Sequence, residues 1–221
     1  RIRILRKQHQ LEVARRDVEL EKGKVEQELR SSRLTSLKAQ MNPHFIFNAL
    51  NSIQEFILLN EKRLANTYLG KFADLMRMYL DMSNEPAISL EEEIKALEIY
   101  LELEAVRFEN TLTYTIEKDE KLNLGDVKIP SMLVQPYVEN AIKHGLLHKK
   151  TDRKLWVRFV LENENLLRVE IEDNGIGRTA SAEINKNRNK HHKSFATSAT
   201  QKRLQLLNQH RSGAIGVQYL D

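Results

Sequence analysis

Hydrophobic residues in the first forty positions recur every seven residues, at Ile4, Leu11, Val18 and Val25. This spacing is typical of one seam of a coiled coil. The second seam is weak, because the positions three residues further on are Lys7, Ala14, Glu21 and Glu28. Residues 1–40 are therefore predicted to form a coiled-coil connector of two parallel helices, with a single solvated helix as the alternative.

Two amphipathic helical segments follow. From His44 to Asn60 the apolar residues are spaced four, three and four apart, at Ile46, Leu50, Ile53 and Ile57. The second segment carries a similar stripe, made of Leu64, Tyr68, Phe72, Leu75, Met76 and Tyr79. Because the break at Leu59–Arg63 is short, residues 41–87 are predicted to form an antiparallel helical hairpin, whose dimer would be a four-helix bundle.

From about residue 88 the pattern alternates between helix and strand. Ser89 is the predicted N-cap of a helix that has three glutamates in its first turn and runs to about Phe108. Strands are predicted at Leu112–Glu117 and Val127–Ile129. A helix is predicted within Pro130–Leu147, opening with Ser131 or Pro136. The runs Lys154–Leu161 and Leu166–Glu172 form a predicted hairpin.

The remainder of the chain is more polar. Thr179–Thr200 is predicted to be a mobile loop, Gln201–Gln209 a helix, and Gly216–Asp221 a strand that lacks its partner. The predicted fold class is therefore α+β: an all-helical N-terminal half, then a mixed sandwich domain over residues 88–221 with a mainly antiparallel sheet and a truncated last strand.

Composition narrows the choice of function. Of the 221 residues 41% are hydrophobic and 30% charged, and no apolar run approaches the ~18 residues that a membrane span needs. The chain has no cysteine, which excludes disulfides, Cys-based zinc sites and Cys nucleophiles. A net charge of +4 gives no strong case for nucleic acid, and acidic residues interleave the basic ones of residues 1–33.

The stretch NPHFIFNALNSI places a histidine in an otherwise apolar helix. At about 100° per residue, four polar residues fall within about 40° of His44; they are Gln40, Asn48, Asn51 and Glu55. Ile53 lies on the opposite side. His44 is therefore predicted on a polar, exposed face with Asn48 one turn away. Geometry alone leaves it as an exposed histidine.

Two further motifs carry chemistry. In VENAIKHG, a helical Asn140 would share a face with Lys143 and His144, which suits an Mg²⁺–phosphate site. A solvated helix face is the alternative, and an HxxxH zinc site with His148 a minor one. In IEDNGIG, Asp173 ends a strand before Gly175 and Gly177, which suits either an amine-binding carboxylate beside a ligand or an ordinary tight turn.

Together, four stretches resemble the LytS/YehU-type sensor histidine kinases over residues 35–215. The stretches are NPHFIFNALNSI, LEEEIKALEIYLELEAVRFEN, IPSMLVQPYVENAIKHG and DNGIG. The resemblance implies an ATP-binding domain of the GHKL, or Bergerat, fold that gyrase, Hsp90, histidine kinases and MutL share.

The resemblance also implies roles for single residues. His44 would be the phospho-acceptor and Asn140 the Mg²⁺ ligand. Asp173 would bind adenine, with Gly175 and Gly177 shaping the nucleotide pocket. Lys143 and His144 would lie along the phosphates. Glu139 would orient the acceptor imidazole. Helix geometry, independently of the resemblance, predicts that Asn48 holds the imidazole or positions a water during dephosphorylation.

Two departures from the family pattern stand out. Phe45 follows His44 where many histidine kinases have an acidic residue, so the general base is unassigned. Ala196 stands where the second glycine-rich box expects a glycine. Thr197 and Thr200 would still offer hydroxyls to the phosphates, and Lys202 or Arg203 a positive charge.

The expected function is the kinase core of a two-component system. ATP and Mg²⁺ would support autophosphorylation of His44 and transfer to a response-regulator aspartate; in this family the regulator is often of the LytTR DNA-binding type. The kinase would be a homodimer without direct nucleic-acid contact. It is expected to be a cytoplasmic piece of an inner-membrane or plasma-membrane protein with an upstream sensor or membrane domain. The alternative, motivated by Ala196, is a degenerate, non-catalytic dimeric scaffold.

Overall fold

The computed structural model describes residues 43–163, 166–188, 208 and 215–220. The chain divides into two compact units, residues 1–51 and 52–221. The predicted connector, residues 189–207 and the greater part of the predicted helix Gln201–Gln209 lie outside the described residues. The predicted domain boundaries after residues 40 and 87 remain predictions. Within the described residues, no helix combines the length and the apolar character needed to cross a bilayer.

Two helices open the described part, as predicted. Helix α1 (Pro43–Leu58) begins with proline, which suits the first position because the missing N–H would have no helical partner there. Asn60 adopts a left-handed conformation with φ 61° in the turn that follows. Helix α2 (Lys62–Asn84) then buries Tyr68, Leu75 and Tyr79, three members of its predicted stripe. The prediction is wrong for Leu64, which is 39% exposed, while Phe72 and Met76 are half-buried.

The predicted apolar stripe of α1 is wrong for two of its four members, because Leu50 is 49% and Ile57 61% exposed. The buried positions lie largely one residue earlier and are Phe45, Ala49, Ser52 and Ile53. Phe45, Ala49, Ser52 and Phe56 repeat the same four, three and four spacing, so the sequence contains two overlapping stripes. In the second unit, Phe56 packs edge-on against Tyr68, with ring centroids 5.7 Å apart.

Helix α3 (Leu90–Arg107) begins and ends where its sequence predicted. The Ser89 hydroxyl accepts a hydrogen bond from the Glu92 amide, and the Glu92 carboxylate accepts one from the Ser89 amide at 2.8 Å. This capping box satisfies donors that the first turn would leave unpaired. One face of α3 packs against α2, where the Tyr68 hydroxyl donates to the Leu103 carbonyl at 3.3 Å.

Five strands form two small sheets. Strand β1 (Ala87–Ser89) pairs antiparallel with β3 (Lys128–Pro130). The larger sheet has the order β2 (Leu112–Lys118), β4 (Arg153–Asn163), β5 (Leu166–Asp173). In it β4 pairs parallel to β2 and antiparallel to β5. The prediction of a mainly antiparallel sheet is therefore confirmed only in part, because the larger sheet has one parallel and one antiparallel pairing.

The parallel pairing of β2 and β4 requires a crossover, which residues 119–152 supply. The crossover contains helix α4 (Gln135–Asn140), which continues as a π-helical turn over Ala141–Leu146. Of the two predicted openings, Ser131 is wrong, because residues 128–130 form β3 and Met132 has a left-handed φ of 53°. The opening at Pro136 is confirmed to within one residue. The helix begins only after that turn.

Two predictions near the C-terminus need correction. Gly177–Arg188 is a helix, α5, although Thr179–Thr200 was predicted as a loop. Its alanines and Glu183 favour helix even though the segment is poor in apolar residues. Residues 215–220 form no strand, because none of the described segments pairs with them.

Candidate functional site

The Asn140 motif lies where the backbone changes from α- to π-helix. Asn140 is the last residue of α4 and is half-buried, Lys143 is exposed, and His144 is half-buried. The wider turn ends with the Leu147 amide bonded to the Ile142 carbonyl at 2.8 Å. Short π-helical turns inside α-helices often occur at functional sites.

The Asp173 motif meets the end of this π-helical turn. The Asp173 carboxylate accepts a hydrogen bond from the Gly175 amide at 2.9 Å. The Ile176 amide donates to the Gly145 carbonyl at 3.3 Å. A Cβ on Gly145 would overlap the Asp173 carboxylate, and one on Gly175 would overlap the Gly145 backbone. The two predicted motifs lie almost thirty residues apart in the sequence and are in contact at Gly145 and Gly175.

Burial raises the pKa of Asp173, while the hydrogen bond from the Gly175 amide opposes that shift. The carboxylate is still partly open to solvent. A carboxylate that has lost part of its hydration and keeps an open side is suited to accept a hydrogen bond from a ligand N–H group.

Asn174 fixes this turn to the start of β4, a role that sequence reasoning missed. Its side-chain oxygen accepts from the Lys154 amide and its side-chain nitrogen donates to the Asp152 carbonyl, both at 2.8 Å. Lys149 donates to the Asn174 carbonyl at 3.0 Å. Gly177, with φ 76° and open space around its α-carbon, begins helix α5.

The surroundings of His144 change its pKa. Burial, followed by the positive charge of Lys143 and by His148, lowers the pKa of His144. A lowered pKa favours the neutral imidazole near neutral pH. In the described part of the chain no three His, Cys, Asp or Glu side chains form a metal-binding group.

Glu139 faces the interior of the second unit. Its carboxylate accepts a hydrogen bond from the Gln135 side chain at 3.0 Å. It also raises the pKa values of Tyr79 and Tyr100, in both cases after the larger effect of burial. Its charge thus acts on buried side chains of α2 and α3. The predicted role of Glu139 at the acceptor imidazole stays a prediction.

His44 is exposed on α1, in the first unit, as the helix geometry predicted. The Asn48 side-chain nitrogen lies 3.0 Å from its Nδ1. This contact fixes the ring orientation from the Nδ1 side. The predicted phosphate contacts Thr197 and Arg203 lie outside the described residues, as does Ala196.

The described residues fit a magnesium nucleotide. Mg²⁺ is commonly held by one or two protein oxygens together with substrate phosphates, so the single amide oxygen of Asn140 is enough on the protein side. The two glycines let the Asp173 turn pack directly against the π-helical turn that follows Asn140.

Three comparisons relate the chain to known proteins. The histidine kinase family model matches residues 32–112. The sensor histidine kinase/phosphatase LytS of Staphylococcus aureus strains Mu50 and N315 is 32% identical over 149 residues, which cover 67% of this chain and 25% of LytS. The crystal structure of histidine kinase ThkA in complex with response regulator protein TrrA covers 71% of this chain and 51% of that chain, at 18% identity and a TM-score of 0.30.

The chain belongs to the histidine kinase family. Within that family it is of the LytS type, as the resemblance predicted. It spans about a quarter of the length of the LytS relatives that it matches.

Proposed function

We propose that the chain is the kinase core of a two-component sensor, which binds ATP and phosphorylates its own His44. The observation that carries the proposal is the contact of Gly145 and Gly175 around the Asp173 carboxylate. It brings together the helix that bears Asn140 and the turn that bears Asp173, and an ordinary tight turn would not need that contact.

ATP would bind across these two motifs in a domain of the GHKL type. Asp173 would accept a hydrogen bond from the exocyclic amine of adenine, beside Gly175 and Gly177. Lys143 and a neutral His144 would donate to phosphate oxygens, together with Thr197 and Arg203. Asn140 would hold Mg²⁺, which supplies charge neutralisation at the phosphates.

The transfer step would use the ring nitrogen of His44 that Asn48 does not hold. With the proton on Nδ1 and the Asn48 amide turned to accept it, the Nε2 lone pair attacks the γ-phosphorus. The bond from that phosphorus to the bridging oxygen breaks, and ADP leaves with the electron pair. Asn48 would also position a water for dephosphorylation, which would suit the kinase/phosphatase designation of LytS.

The phosphoryl group would pass from His44 to an aspartate of a response regulator, of the LytTR type. The active form would be a homodimer joined through helices α1 and α2 as a four-helix bundle. The longer parent protein would carry a sensor or membrane domain upstream, so that the present chain would lie on the cytoplasmic side.

Incubation with γ-labelled ATP and Mg²⁺ tests the proposal. We expect label that is stable to alkali and labile to acid in the unmodified chain, none in His44→Gln, and strongly reduced label in Asn140→Asp. His9→Gln controls for loss of an unrelated histidine and should label normally.

The alternative is a folded dimer that does not transfer phosphate, motivated by Ala196 in the second glycine-rich box. Absence of label from a folded, dimeric protein would contradict the kinase proposal and favour this scaffold.

A further inference from the structure

Glu93 is a buried carboxylate that the proposed chemistry does not use. It lies on α3, is 1% exposed, and its side chain accepts hydrogen bonds from three backbone amides of the loop that leads into α4. Oε2 accepts from Met132 at 2.9 Å, and Oε1 accepts from Val134 at 2.9 Å and from Gln135 at 3.2 Å. The loop backbone is unusual, since Met132 has a φ of 53°.

Those three amides would otherwise be buried donors at a helix start, where no backbone acceptor is available. A carboxylate there also matches the positive end of the helix dipole. Because one rigid side chain holds both sides of the strained Met132 turn, Glu93 fixes the position at which α4 begins, five residues before Asn140.

The opposite end of the same helical segment is held independently. Arg153 donates from Nε to the Leu146 carbonyl at 3.1 Å, and the Ile176 amide donates to the Gly145 carbonyl. Arg153 is itself fixed by Thr111 and by the Phe108 ring. The end that contacts Asp173 therefore does not depend on Glu93, whereas the end that carries Asn140 does.

We propose that Glu93 is a positioning residue for the metal-dependent part of nucleotide binding, acting through α4 on Asn140. This inference rests on the proposed function. Glu93→Gln keeps the size of the side chain but replaces one carboxylate oxygen with an NH₂ group. One side of the Met132 turn then faces a donor in place of an acceptor, and α4 loses its fixed start.

The test compares ADP affinity by calorimetry in Mg²⁺ and in EDTA for the full chain. We expect Glu93→Gln to weaken binding in Mg²⁺ by about tenfold while affinity in EDTA stays within about twofold. The matched control is Glu91→Gln, which removes the same charge from an exposed position in the first turn of the same helix. It should leave both affinities unchanged.

Four outcomes decide between the possibilities. Equal loss in Mg²⁺ and in EDTA shows a purely structural role and overturns the inference, as does an affinity equal to that of Glu91→Gln. If the unmodified chain gains no affinity from Mg²⁺, the proposed function itself fails. If Glu93→Gln does not fold, Glu93→Asp, which keeps the charge but retracts the carboxylate, decides by the same two affinities: a loss confined to Mg²⁺ supports the inference, and an equal loss or none overturns it.

Discussion

The negative charge of Asp173 is less well stabilised in the folded chain than in the unfolded chain. Burial raises the pKa of this carboxyl above its usual 3.8. Between 3.8 and the raised value the folded state binds more protons than the unfolded state, so stability falls as the pH rises through that window. At neutral pH the ionised Asp173 therefore lowers the free energy of unfolding.

We expect Asp173→Asn to raise the thermal midpoint at pH 7. The gain in the free energy of unfolding should be no more than about 1 kcal/mol, because solvent screens the charge on the open side of the carboxylate. The advantage should shrink as the pH approaches 4. The same variant should lose ADP binding by more than about tenfold, since an amide offers a donor where adenine presents one. Circular dichroism melts at several pH values check the first result, with the exposed Asp81→Asn as control. A lower midpoint at pH 7 would contradict this account of Asp173.

Position 145 requires glycine because the Asp173 carboxylate lies too close to leave room for a side chain. We expect Gly145→Ala to displace the Asp173 carboxylate and weaken ADP binding by about tenfold or more, because a methyl group there overlaps that carboxylate. Gly70→Ala is the control: Gly70 lies within α2 with nothing within 4 Å of its added Cβ, so that variant should be more stable by about 0.5–1 kcal/mol. Calorimetric titration and urea unfolding measure the two effects. Unchanged ADP affinity in Gly145→Ala would place the nucleotide elsewhere.

Features that depend on interactions between residues close in the sequence could be predicted from the sequence. The capping box of α3 depends on residues three apart, and the exposure of His44 depends on one helix face. Gly145, Asn174 and Glu93 could not be assigned roles, because their partners lie about 20 to 40 positions away. For Gly145 the one available signal was its place at the end of the IKHG motif.

For helices and strands, the sequence is compatible with more than one arrangement, and tertiary packing selects between them. Helix α1 carries two stripes offset by one residue, and burial of Phe45 and Ala49 selects the one not predicted. Helix α5 is polar enough to read as a loop, and a strand such as the one predicted at the C-terminus needs a pairing partner. The parallel pairing of β2 and β4 depends on the whole crossover and leaves no local signature.

The Glu104–Arg107 ion pair at the end of α3 matters for stability because it is buried. Glu104 is 3% and Arg107 18% exposed. Burial raises the pKa of Glu104, and the Arg107 charge opposes that rise. We expect Arg107→Met to destabilise the chain by about 2–4 kcal/mol, because it leaves a buried carboxylate without its cation. The added Glu104→Gln change should recover part of that loss.

Urea unfolding at pH 5 and pH 8 checks this pair. With the cation gone, the folded pKa of Glu104 rises further above its unfolded value, so Arg107→Met should lose stability as the pH rises. Lys118→Met is the matched control, since it breaks a half-exposed pair with Glu98 and should cost less than about 1 kcal/mol. Equal costs for both single variants would show that burial does not govern these pairs.

Among the described residues, two leucines on one side of α2 are exposed. Leu69 is 47% and Leu80 49% exposed, and their eleven-residue separation places them on one side of the helix with Met76 between them. Ile57, Leu58 and Leu59 add exposed apolar surface at the adjoining turn. Exposed leucines on one side of a helix are expected to be covered by another copy of the chain, as a four-helix bundle would cover them.

We expect sedimentation velocity over a dilution series to show a dimer whose dissociation constant rises at least about tenfold in the Leu69→Glu, Leu80→Glu double variant, because each charge would enter an apolar interface. Leu166→Glu, which changes an equally exposed leucine on β5, should leave the constant unchanged. Since the readout is a shift in affinity, a contribution from residues 1–40 does not mask the effect. A monomeric unmodified chain, or equal constants for all three proteins, would show that α2 does not form the interface.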